Sequence, residues 1–275
     1  MHNTKHNYTF APPNEQLQKE MEIHHTDFIS PLNTVEGVTD EDYKREQARL
    51  ESVLDVLSRV SACGYYVVDY YQHKFLYVSD NIEYWCGHTT DEVNELGYEL
   101  YTQFVPQEDL AILKQINEAG FEKFATLPEE ERCKYSISYD FRFIISGRRK
   151  MVNKQLTPFA LKDGKIWLAL CILTMSSSKK CGQEIILKKH KSRTYFQLHL
   201  ETRKWCRKTA PLLSDDEKDI LRLAAQGLSY KEMADMFLRS PHTIKSYRKN
   251  LLEKIDASNF NEAIIRAINF GMFQM

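Results

Sequence analysis

Ser-Pro-His-Thr-Ile-Lys-Ser-Tyr-Arg-Lys-Asn-Leu-Leu-Glu-Lys-Ile, residues 240–255, opens like a helix and carries four basic residues behind its Ser-Pro start. Ser240 suits the N-cap, and Pro241 falls at the first helical position, where a missing amide proton costs nothing. On a wheel of about 100° per residue, Ile244, Tyr247, Leu251, Leu252 and Ile255 share one face. That face is read as core. His242, Lys245, Ser246, Lys249 and Glu253 lie opposite it, and Arg248 sits at the edge of the apolar stripe, from which it can reach round to a phosphate.

Helix signals surround this stretch. Ser214-Asp215-Asp216-Glu217 and Ser229-Tyr230-Lys231-Glu232 are capping boxes, in which a hydroxyl and a carboxylate satisfy the unpaired amides of a helix start. Gly227 closes the first of these helices, and Asn259 with Glu262 opens a fourth that ends at Gly271. Four short helices joined by tight turns make a helix-turn-helix layout. A basic helix seated this way fits the DNA major groove, where Lys can donate to guanine O6 and N7. A merely solvated charged face is the competing reading, and the agreement of caps, turns and basic face weighs against it.

The residues Leu213-Ser214, Glu217, Gly227, Ser229, Lys231-Glu232-Met233-Ala234, Ser240, Thr243-Ile244-Lys245, Asn250, Lys254-Ile255 and Glu262-Ala263 resemble the LuxR/FixJ-type (GerE-like) DNA-binding domain, placed at residues 211–275. The resemblance implies a sequence-specific transcription regulator that binds double-stranded promoter DNA, with residues 241–255 as recognition helix. By position, Lys245, Ser246 and Lys249 would face bases, and Lys231, Thr243 and Arg248 would meet phosphates. Tyr247 stands where that family usually has His. In the fourth helix Phe260, Ile264, Ala267, Ile268 and Gly271 form a stripe. The resemblance implies that part of this helix pairs two DNA-binding domains in a homodimer, while the rest serves as core.

Upstream the character changes. Residues 1–175 hold 18 Lys+Arg against 27 Asp+Glu, and residues 176–275 hold 19 against 11, so the overall −1 hides a basic C-terminal part suited to a polyanion. Residues 1–39 read as an irregular extension. In residues 40–63 Tyr43, Leu50, Val53, Leu54, Leu57 and Val60 recur at helical spacing; a helix covering its own domain's core is preferred to a dimerising coiled coil, because the pattern covers under three heptads. Between residues 64 and 175 come two strands (Tyr65–Tyr70 and Phe75–Ser79), a helical stretch whose longest helix is Gln107–Phe124, and three strands. The last two strands, Met151–Ala160 and Ile166–Met175, meet at Lys162-Asp163-Gly164. The expected fold class is α+β, an antiparallel sheet with helices on one face, followed by the all-α four-helix domain. Residues 176–210 read as a basic connector with short strands at Glu184–Leu187 and Thr194–Leu200.

Tyr77-Val78-Ser79-Asp80-Asn81, Trp85-Cys86-Gly87-His88 and Val105-Pro106-Gln107-Glu108-Asp109, taken with that element order, resemble a PAS sensor domain over residues 64–175. A PAS-like domain implies a small-molecule or protein partner. Trp85, Tyr139, Phe141 and Trp167 are the candidates for lining a pocket, with ordinary core packing as the competing reading.

No cofactor is expected. His73 and His88 are the only histidines of that region, the long helix where haem-binding PAS domains carry their ligand has none, and Cys86 lacks the Asn-Cys-Arg context of flavin-adduct domains. Six scattered cysteines form no C-x-x-C pair and predict reduced thiols rather than a metal site. With 10 glycines there is no phosphate-cradling G-x-G-x-x-G or G-x-x-x-x-G-K pattern, and no constellation of catalytic residues stands out, so an enzyme is disfavoured. The longest apolar run, Ile166–Leu173, is 8 residues, and the N-terminus lacks a signal-peptide pattern, which predicts a cytoplasmic protein without a membrane partner. A PAS-based protein-interaction adaptor without ligand sensing is the alternative to a ligand-controlled regulator.

Overall fold

Residues 64–209 build one antiparallel sheet in the computed structural model, which describes residues 23–82 and 86–272. Its strands are β1 (Gly64–Asp69), β2 (Lys74–Val78), β3 (Tyr135–Ile145), β4 (Arg148–Lys162), β5 (Lys165–Met175), β6 (Ile186–Lys189), β7 (Thr194–His199) and β8 (Lys204–Thr209), in the order β2-β1-β5-β4-β3-β6-β7-β8. Two-residue turns set the central registers. Asp163-Gly164 and Ser146-Gly147 all have positive φ, which matches the right-handed twist of the flanking strands. The second of these turns starts β4 at Arg148, three residues before the expected Met151.

The segment expected as a basic connector continues the sheet. β6 pairs with β3, β7 with β6 and β8 with β7, and Leu187 and Leu198 are buried, so β3 is covered rather than left as an edge. The unanticipated β8 is mostly exposed and basic, which its alternation-poor sequence conceals; Trp205 anchors it by donating from its indole to Ala119 O at 3.1 Å.

Period-2 alternation distributes β1 between two helical layers. Tyr66 and Tyr70 point toward α3 (Glu99–Phe104) and α4 (Gln107–Ala125), where the Tyr66 and Tyr101 hydroxyls share a hydrogen bond and Tyr70 meets Phe121 edge-on at 5.5 Å. Asp69 points the other way and accepts from Tyr43 of α1 (Asp40–Val60). Thus α2 (Thr90–Leu96), α3 and α4 pack on one face, while α1 lies against the other through Leu50 and Leu54. At the start of α4 the buried Asp109 accepts from Arg142 N at 2.7 Å and pairs with the Arg142 guanidinium, fixing that helix to β3.

Residues 23–39 lack long regular elements yet are tied down. Asn33 forms a two-way bridge to the Ile166 backbone, both bonds at 2.8 Å, and Phe28 and Val35 are buried. Trp85 and the first 22 residues of the extension lie outside the described residues.

The C-terminal helices are α5 (Asp215–Ala225), α6 (Tyr230–Met236), α7 (Pro241–Ile255) and α8 (Phe260–Asn269). Ser214, Ser229, Ser240 and Asn259 each accept the expected backbone N–H at the helix starts. Ile220, Leu221, Leu251, Ala263 and Ala267 form the core of α5, α7 and α8. α8 also meets the far end of the sheet: Tyr195 and Phe270 rings lie 4.5 Å apart, Lys188 Nζ donates to Asn269 O at 2.7 Å, and Arg266 pairs with Glu184.

Candidate nucleic-acid interface

α6 and α7 are locked together by Met233, Ala234 and Ile244, all buried, with a turn between them in which Arg239 N donates to Ala234 O at 2.9 Å. Such a buried contact leaves the opposite side of α7 free to face outward. Lys245, Ser246 and Lys249 are exposed there, and the Lys249 side chain keeps 77% of its accessible surface, with Glu253 one turn on at 3.8 Å. The Ser246 hydroxyl donates to His242 O at 3.1 Å within its own helix. Lys231 is exposed on the first turn of α6. Thr243 is half-buried, its hydroxyl 2.9 Å from that of the Ser240 cap.

Two basic residues of α7 are placed differently. The Arg248 guanidinium lies 3.8 Å from the Phe260 ring centroid and 4.7 Å from that of Tyr230, and its Nε is buried without a hydrogen-bond partner. It is a stacked, cation–π side chain. Helix geometry explains this: counted from Ile244 at about 100° per residue, Arg248 falls about 40° away, within the arc beside Leu251 and Ile255, whereas Tyr247 falls about 60° to the other side. Tyr247, expected in the core, is accordingly 37% exposed. Lys254 pairs with Glu217 at 2.6 Å, so it ties α7 to the capping box of α5.

Residues 211–267 match the family described as bacterial regulatory proteins, luxR family. This segment is a LuxR-family domain. Its likeness extends to the transcriptional regulatory protein DesR of Bacillus subtilis, 37% identical over 62 residues, which are 22% of this chain and 31% of that regulator. The chain thus matches about a third of the length of that relative. Among solved structures, a phage VqmA–DPO complex is 15% identical and covers 85% of this chain and 92% of its own, at a TM-score of 0.31. A PAS domain from Colwellia psychrerythraea is 12% identical and covers 50% of this chain and 98% of its own, at a TM-score of 0.34. Both superpose loosely.

Outside the LuxR-family domain, Tyr139, Phe141 and Trp167, the described residues among those expected to line a pocket, are not gathered in one place. Tyr139 lines a cleft of about 50 Å³ between α4 and the inner sheet face, together with Tyr70, Ile116, Phe121 and Leu156. Phe141 is fully buried against Tyr101, Tyr139 and Phe143 and does not line it. Trp167 packs edge-on against Tyr43 of α1, 5.2 Å between rings, because the end of β5 is covered by that helix. The residue that sequence reasoning missed is Lys154. It is only 7% exposed, and its Nζ donates to the Tyr101 hydroxyl at 2.8 Å. The signal was present: Lys154 alternates in phase with Val152 and Leu156, so period 2 puts it on the apolar face of β4. Burial pushes the Tyr139 hydroxyl up to about 12 and those of Tyr66, Tyr70 and Tyr101 upward as well, so these rings stay neutral at physiological pH. Among the described residues no group of three or more His, Cys, Asp or Glu could hold a metal ion, and no helix is long and apolar enough to cross a membrane.

Proposed function

We propose that this protein is a sequence-specific, DNA-binding transcription regulator that places α7 in the major groove and is controlled through its PAS-like sheet domain. The observation that carries this reading is the outward basic face of a helix locked from behind by Met233, Ala234 and Ile244, within a LuxR-family domain. Lys245, Ser246 and Lys249 read base edges, since their side chains leave the exposed side of a helix narrow enough for the groove. Lys231 and Thr243, near the two helix starts, meet the phosphates. Arg248 positions α7 against α6 and α8 instead of touching DNA.

The protein acts as a cytoplasmic homodimer without catalytic activity of its own. Ile265 and Ile268 of α8 are 48% and 40% exposed, and they supply an apolar surface for a second copy. Selection from a random duplex pool with the full chain tests this function. An enriched, two-fold symmetric site with half-sites spaced by a helical turn, about 10 base pairs, or a multiple of it is the expected result. A pool with no enriched sequence, or sedimentation as a monomer on the enriched site, would overturn it.

A further inference from the structure

Lys154 is held among aromatic rings, and among the described residues no carboxylate pairs with it. Its ammonium lies 4.8, 5.5 and 6.0 Å from the ring centroids of Tyr101, Tyr66 and Tyr139, and its charge also acts on Cys171, Tyr70 and Tyr98. Of three N–H donors, the Tyr101 hydroxyl takes one, and the Tyr139 hydroxyl lies within reach of another. Ring faces attract a cation but do not neutralise it, and a buried charge without an anion is costly unless something supplies one. Tyr139, directly opposite Lys154 in the β3–β4 register, is the wall shared by this ammonium and the cleft under α4.

The cleft is apolar and small. Leu156, Ile116 and Phe121 line it, and at about 50 Å³ it is smaller than the roughly 150 Å³ apolar cavity known to take benzene. Gly120 of α4 lies on its wall, a residue unfavourable in the middle of a helix, and a Cβ there would sit 3.4 Å from Ile137 Cδ1. That is an ordinary van der Waals contact, so a methyl group there narrows the cleft without a clash.

We propose that the Lys154 cluster and the adjoining cleft bind a small organic monoanion, a branched short-chain carboxylate, with the carboxylate on Lys154 Nζ and the alkyl body along Tyr139 and Leu156. The sensor role of the sheet domain proposed above is deepened by this assignment, which rests on that role. The Tyr139 ring rotates to join the cleft to the ammonium, and the bound anion supplies the counter-charge that the described residues do not.

Isovalerate and isovaleramide have nearly the same shape and differ in charge. In calorimetric titration of the full chain without DNA, isovalerate is expected to bind saturably and at least about tenfold more tightly than the amide, which leaves the ammonium unneutralised. Lys154→Met, similar in length and apolar, is expected to weaken isovalerate binding by about 30-fold or more and to raise the thermal midpoint of the free protein. Gly120→Ala is expected to preserve folding and to weaken 4-methyl-2-oxopentanoate more than isovalerate. Equal affinity for acid and amide would overturn the assignment, as would Lys154→Met protein that binds isovalerate like the parent, or absence of saturable binding up to millimolar acid. The acid–amide comparison uses the parent protein, so it stands even if Lys154→Met does not fold. No DNA is present, so failure here leaves the DNA-binding reading to its own test.

Discussion

Lys249 and Lys154 are the same residue in opposite circumstances. On α7 the Lys249 side chain is 77% exposed and hydrated, whereas Lys154 on β4 retains 7% of its surface and faces tyrosines. A hydrated cation at the surface is available to any polyanion, and its worth depends on salt. A desolvated cation can be satisfied only by groups that reach it, which makes it selective for a small, complementary ligand. The basic residues of α7 divide along the same line, since Lys245 and Lys249 face water while Arg248 and Lys254 are bound to neighbouring helices.

Core truncation gives the largest expected effect. Phe141→Ala, at a fully buried position, should lower the unfolding free energy by about 3–5 kcal/mol in urea titration, and a loss under 1 kcal/mol would mean that the sheet's inner face is not the tight core described. The exposed side of the comparison is tested next. Lys249→Ala should cost about 1–3 kcal/mol of binding to the enriched duplex, much less on a scrambled one, and leave unfolding unchanged within about 0.5 kcal/mol. Equal losses on the two duplexes would remove Lys249 from the base-reading set.

Arg248→Met sharpens the division within α7. Loss of the stack on Phe260 and Tyr230 should lower stability by about 0.5–2 kcal/mol in thermal unfolding and leave the salt dependence of DNA binding unaltered. A salt slope smaller by about one unit would instead put its guanidinium on a phosphate. That fall, about 0.9 in the slope with no change in unfolding, is what Lys231→Ala should produce.

The smallest effect concerns acid. Lys114 Nζ donates to Asp27 at 2.7 Å and holds that carboxyl below its ordinary value. A depressed folded-state value contributes stability above the ordinary carboxylate range, and that contribution is lost as pH falls through the folded value. Asp27→Asn should therefore flatten the stability curve only below about pH 4, and slightly, because the pair is partly exposed.

Much of the helical domain was legible because its signals are local. Ser214, Ser229 and Ser240 act within three residues of their own positions, and the observed caps follow from that short range. The outward placement of Lys245 and Lys249 follows from helical period alone. Arg248 was less legible, since its partner Phe260 comes from another helix and a wheel does not show what covers its edge. In the sheet, turn pairs such as Asp163-Gly164 announced a hairpin, and β6 and β7 were visible as strand-like runs, but nothing local says that Ile137 pairs with Leu187.

By itself the sequence determined where the helices start and stop, which side of α7 is basic, and that an antiparallel sheet with helices precedes a helical segment that matches the LuxR family. All of these depend on covalent neighbours and on the helical or two-residue period. Only the tertiary structure decided that residues 186–209 extend the sheet, that Trp167 serves α1, and that Lys154 is enclosed with no carboxylate beside it among the described residues. Those outcomes depend on which distant side chains come to share one low-dielectric space. Alternation could assign Lys154 to the apolar face, but only the packed structure shows Tyr66, Tyr101 and Tyr139 standing where water or an acid would otherwise be.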